Sequence, residues 1–151
     1  MVNNMQAMES FYKTVDLAIE TNRLNRELYQ REMYLVSPAK YAIDFCTVHV
    51  NCGRRVGKSE YIKDHLNYGD VIIAPNLDMR EYLKWKLHYQ HVYSVSEFSY
   101  GLPDSFSNRT LPRTTIWMDE VGFCSDSEIG KVYSALACRN VPNQTFIRLG
   151  R

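Results

Sequence analysis

The chain has 151 residues, 45% of them hydrophobic and 23% charged, with a formal net charge of +1. This balance excludes chain-wide disorder and fits one globular domain that buries its own core. A near-neutral total neither requires nor excludes a nucleic-acid partner, because a local basic face can sit inside it.

Residues 5–36 carry Phe11, Val15, Ala18, Ile19, Leu24, Leu28 and Leu35 at helical spacing, and Ser37-Pro38 breaks the pattern. This divides the chain into a helical amino-terminal segment, 1–38, and a core, 39–151. Tyr41, Ile43 and Phe45 alternate, as a short strand would. The run from Cys46 to Cys52 is rich in β-branched residues and reads as a buried strand. A turn at 53–57 follows, and then a helix from Lys58 through Tyr61, Ile62 and Leu66 that ends before Gly69. Val71–Ala74 is a second apolar strand, closed by Pro75-Asn76. A helix is expected over 78–90 and a third strand over Val92–Val95. Residues 99–114 hold Gly101, Pro103, Ser105, Ser107, Asn108 and Pro112 and form the one long loop signal. Thr114–Met118 is a fourth strand ending on Asp119-Glu120, 126–138 is helical, and Thr145–Leu149 is a fifth strand.

Alternation of strands and helices predicts an α/β fold with a mostly parallel five-stranded sheet flanked by helices. Ligands of such sheets sit beyond the carboxyl ends of the strands. Two motifs fall at such ends. The first is Gly53-Arg54-Arg55-Val56-Gly57-Lys58-Ser59, with Glu60 opening the helix behind it. It keeps the Gly-Lys-Ser end of the phosphate-loop pattern, while Cys52 stands at its first glycine position. Gly57 lets the backbone approach a phosphate, Lys58 brings a positive charge to the β- and γ-phosphates, and Ser59 offers a hydroxyl to Mg²⁺. Arg54 or Arg55 is expected to stabilise charge on the γ-phosphate, the alternative being a solvated or sheet-edge arginine.

The second motif is Asp119-Glu120 after the apolar fourth strand. Taken alone, it is equally readable as a solvated turn leading to Gly122. Paired with the phosphate loop, it assigns Asp119 to Mg²⁺ and Glu120 to the attacking water as general base. The first and fourth strands are then expected to be neighbours, so that Lys58 and Glu120 meet at one nucleotide.

Together the two motifs resemble P-loop ATPases of the additional-strand, catalytic-glutamate group, and most closely the ATPase domain of phage terminase large subunits, the DNA-packaging motors. The resemblance implies a P-loop NTPase fold, Mg²⁺-dependent ATP hydrolysis, and Arg54 as the arginine acting in cis. It also implies double-stranded DNA and other packaging proteins as partners, a homo-oligomer, and a cytoplasmic location, the host cytoplasm if viral. Leu28-Tyr29-Gln30-Arg31-Glu32-Met33 resembles the adenine-sensing motif of those motors. Gln30 would then pair with the adenine edge and Tyr29 pack on the base; the alternative is an ordinary polar patch on a helix. The chain departs from the family in having no room for a nuclease domain. It also lacks a Thr-Thr-Pro type coupling turn, the corresponding stretch being 144–151. A stand-alone phage or mobile-element ATPase and the amino-terminal piece of a longer motor both fit. A nucleotide or nucleoside kinase and a non-hydrolysing ATP-binding switch or adaptor are the competing functions.

Cys46, Cys52, Cys124 and Cys138 make no C-x-x-C pair and no zinc spacing, so they read as free thiols of a reducing compartment. No signal peptide and no membrane span is expected. His49 reads as a core or edge histidine. Arg139, Arg148 and Arg151 are candidates for a trans-acting arginine, and Arg109 and Arg113 for contacts with a phosphate backbone; for each, a solvated surface residue is the alternative.

Overall fold

The computed structural model describes residues 2–103, 115–138 and 144–151. The loop reading at 104–114, with Arg109 and Arg113, and Arg139 lie outside the described residues. Helix α1 spans Asn4–Leu28 and starts at a reciprocal cap, in which Asn3 Oδ1 accepts from the Gln6 amide and Gln6 Oε1 from the Asn3 amide, both at 2.9 Å. A 3₁₀ turn over Gln30–Tyr34 follows it, so the expected helix over 5–36 is interrupted at Tyr29.

The alternating stretch at 40–45 is not a strand. It is helix α2, Pro38–Phe45. Ser37 caps it by accepting from the Lys40 amide at 3.2 Å, and Pro38 occupies the first helical position, where its missing N–H has no cost. The rings of Tyr41 and Phe45 stack one helical turn apart at 5.3 Å, and the buried member of this helix is Ala42 rather than Ile43.

The remaining elements are β1 (Thr47–Val50), α3 (Lys58–His65), β2 (Val71–Ala74), α4 (Leu77–Leu87), β3 (Val92–Ser94), β4 (Thr115–Asp119), α5 (Asp126–Leu136) and β5 (Thr145–Leu149). The five strands form one parallel sheet in the order β1-β5-β4-β2-β3. The expected adjacency of the first and fourth strands is therefore wrong: β5 lies between them, pairing Val48 with Ile147 on one side and Trp117 with Ile147 on the other. The burial pattern gives the physical reason. Phe146, Ile147 and Leu149 of β5 are buried, which suits an interior position, whereas β1 turns His49 to solvent, which suits an edge.

Each face of the sheet carries its own core. Phe11 and Val15 of α1, Tyr61 and Ile62 of α3, and Leu83 and Leu87 of α4 pack over Val48, Ile72, Trp117, Ile147 and Leu149. On the other face, Ala42 of α2 and Ile129, Val132, Tyr133 and Leu136 of α5 cover Ile73, Ile116, Met118 and Phe146. Among the described residues no helix is long and apolar enough to cross a membrane. All four cysteines are free.

Candidate functional site

The loop between β1 and α3 is shaped by local chemistry. Asn51 Oδ1 accepts from the Gly53 amide at 3.2 Å. Gly53, Arg55 and Gly57 then take positive φ of 91°, 59° and 101°. Gly57 also eases the crossing of α1 over the loop: a Cβ there would stand 3.0 Å from Met8 Cγ, and the Met8 side chain would have to give way. The chain enters α3 directly at Lys58, leaving the first amides of that helix facing the loop.

At the carboxyl end of β4 the two carboxylates part. Asp119 is 3% exposed, and its Oδ1 has no hydrogen-bond partner among the described residues. Burial pushes its carboxyl up to about 6, against the pull of Lys58 and with added repulsion from Glu120. Glu120 turns into the left-handed region at φ 54°, a conformation that costs a non-glycine residue about 1–2 kcal/mol. Its Oε1 pairs with Lys58 Nζ at 2.5 Å, and its Oε2 accepts the Arg151 backbone N–H at 3.0 Å. Burial works to raise Glu120, but the lysine and that amide outweigh it and hold the carboxyl below the usual range.

Arg54, Arg55, Gly57, Lys58, Ser59, Glu60, Asp119 and Glu120 thus line one open cleft of about 710 Å³ at the carboxyl end of the sheet. No protein-family model and no curated protein matches this chain. Gly53 contributes its carbonyl, 3.4 Å from Lys58 Nζ, and half-buried Val56 packs toward the α1–α3 core. Glu60 holds Lys86 Nζ at 3.3 Å.

Tyr29 and Gln30 are not brought to this cleft. Met8 lies against Gly57, whereas Tyr29 follows the opposite end of α1, about 30 Å away at 1.5 Å per residue. Gln30 lines a separate cleft with Arg23, Arg26, Arg31, Tyr34 and Tyr41, and the Tyr29 ring leans on Phe45 at 5.8 Å. The adenine-contact reading of these two residues does not fit that placement. Of the candidate trans-acting arginines, Arg148 has a buried Nε with no hydrogen-bond partner among the described residues, and the Arg151 guanidinium lies 5.3 Å from the Phe123 ring. Edge-strand His49 places Nε2 2.9 Å from the Gly150 carbonyl.

Met8, Asn76, Met79, Lys86 and Phe123 also line the cleft and went unnoticed in the sequence. Lys86 could not have been found by pattern, because it arrives only through the packing of α4 against α3. Gly150 offered a local signal: a glycine just past a strand often marks a close approach.

Among the described residues no three His, Cys, Asp or Glu side chains converge as a protein metal cage. Mg²⁺ does not ask for one; it takes one or two protein oxygens with water and phosphate. The unpartnered Oδ1 of Asp119 and the Ser59 hydroxyl in the same cleft fit such a donor set.

Proposed function

We propose that the protein binds ATP with Mg²⁺ and hydrolyses it, using a phosphate loop centred on Gly57, Lys58 and Ser59. The observation that carries the reading is the convergence of three groups. The Lys58 ammonium, the Glu120 carboxylate and the buried Asp119 meet in one cleft, at the carboxyl ends of two strands separated by a third. A lysine and an acid so paired, beside a buried carboxylate with an unused oxygen, match what a triphosphate and its metal need better than what stability needs. Two hydrophobic residues would serve the fold as well.

In this reading the amides at the start of α3 and Lys58 bind the phosphates. Bound Mg²⁺, held by Ser59 and Asp119, would neutralise charge on the β- and γ-phosphates. Glu120 takes a proton from water as the water oxygen bonds to the γ-phosphorus. The bond from that phosphorus to the bridging oxygen breaks, and ADP and inorganic phosphate leave. Arg54 lines the cleft and acts electrostatically on Glu120, which suits a cation for the charge that develops. Use in DNA packaging or translocation, with double-stranded DNA, packaging proteins and a homo-oligomeric assembly, rests on the motif resemblance alone.

Phosphate release, measured with and without DNA and with no added acceptor, tests the reading. Wild type should release phosphate, Lys58→Ala should lose nucleotide binding and turnover together, and Glu120→Gln should keep ATP bound while turnover falls about 10²–10⁴-fold. Phosphate release only in the presence of an acceptor would indicate a kinase. Glu120→Gln behaving like wild type would indicate a binding switch. Turnover that survives Lys58→Ala would remove the site altogether.

A further inference from the structure

The turn after β4 and the end of β5 are interlocked more tightly than strand pairing requires. The Glu120 amide donates to the Leu149 carbonyl at 3.0 Å, and the Gly122 amide donates to the Arg151 carbonyl at 2.8 Å. The Arg151 amide returns the third bond, to Glu120 Oε2 at 3.0 Å. Two glycines make this possible. A Cβ on Gly122 would stand 2.3 Å from the Arg151 carbonyl carbon, and one on Gly150 would stand 2.5 Å from both Cδ and Oε1 of Glu120. A side chain on Gly122 would collide with the Arg151 backbone, and one on Gly150 fits only if the Glu120 carboxylate moves. Glu120 is also held in the left-handed backbone conformation, which persists only when its surroundings over-determine it.

We propose that the end of β5 positions the general base: the Arg151 backbone N–H anchors Glu120 Oε2, and Gly150 leaves the space the carboxylate occupies, so that Oε1 is the reactive oxygen. This rests on the reading of Glu120 as the base. Lys58 Nζ is on Oε1 here. A lysine drawn toward phosphate releases Oε1 to a water, while Oε2 stays on the amide. The two oxygens therefore have separate tasks, and the carboxylate keeps its aim when its lysine leaves. Gly150 and Arg151 act through Glu120 and touch no reacting atom, so they are positioning residues.

Gly150→Ala tests this. The expected result is a kcat lowered about 10- to 100-fold, with the KM for ATP within about threefold of wild type, because aim is lost and phosphate binding is kept. A kcat equal to wild type, or a KM that rises as far as kcat falls, overturns it. The φ of 83° at Gly150 strains any other residue, so a second measurement needs no change there. The amide proton of Arg151, followed by NMR, should lie downfield in wild type, move upfield in Glu120→Ala, and stay downfield when wild type binds a non-hydrolysable ATP analogue with Mg²⁺. An amide that does not respond to Glu120→Ala, or that moves upfield when the analogue binds, sinks the anchor. If Glu120→Gln hydrolyses ATP normally, the base assignment falls, and the anchor with it. If Glu120→Gln is silent while Gly150→Ala is normal, the anchor alone falls.

Discussion

Asp119 shows what a single buried carboxylate costs the fold. Its carboxyl is pushed up to about 6 in the folded state against an ordinary 3.8, chiefly because burial disfavours the anion. A folded pKa above the unfolded one means that the native state binds the proton more tightly. Stability therefore falls as pH rises from about 4 to about 6 and stays reduced above that, by about 3 kcal/mol at full ionisation. Asn does not titrate and fills the same space. Asp119→Asn should therefore melt higher than wild type at pH 7.5, in the presence of a metal chelator, and lose that advantage at pH 4. Thermal unfolding across this range checks it. A variant that melts lower than wild type at pH 7.5 would mean that the neighbouring cations more than offset the burial. The left-handed φ of Glu120 belongs to the same scale, and no residue type at position 120 announces it.

Between elements, the clearest single joint is Asp70, fully buried just before β2. Its carboxylate accepts from Trp117 Nε1 and from the Asn67 amide, each at 3.0 Å, and from the Thr115 amide at 3.4 Å. One side chain thus ties the start of β2 to β4. Asp70→Ala leaves buried donors without acceptors and should cost about 3 kcal/mol in urea unfolding, whereas Asp70→Asn should recover part of the loss. The strands themselves were legible from local sequence, because a parallel sheet covered on both faces makes each strand an apolar run bounded by turn residues. That Lys58, Asp119 and Glu120 share one cleft was legible for a related reason: each stands just past the carboxyl end of a strand, where the loops of a parallel sheet converge. Helix α2 was misread because Tyr41, Ile43 and Phe45 satisfy a period of two while Tyr41 and Phe45 also satisfy a helical turn. There the Ser37-Pro38 cap decides, not the alternation. The neighbour of β1 was misread because strand order is a property of crossovers, which no window of sequence contains. Tyr29 and Gln30 matched a motif by composition, but the length of α1 carries them away from the cleft.

Across the whole molecule, protection is expected to be uneven. β4, β5 and β2 lie inside the sheet with buried side chains on both faces, whereas beyond Ile19 helix α1 exposes Leu24 and Leu28. Hydrogen exchange should be slowest for amides within 116–118 and 146–149 and fastest within 22–34, since local opening is cheapest where few apolar contacts are lost. The reverse order would mean that α1 is held by something other than its buried half. The placement of β5 also matters while the chain is being made. Among the described residues, β1 pairs in the sheet with β5 alone, about 95 residues further along the chain. At about 5–20 residues per second, a ribosome exposes β1 for about 5–20 s before its partner is synthesised. For that interval one apolar edge waits unpaired, which is the form of nascent chain that a holding chaperone recognises and that a crowded polysome aggregates.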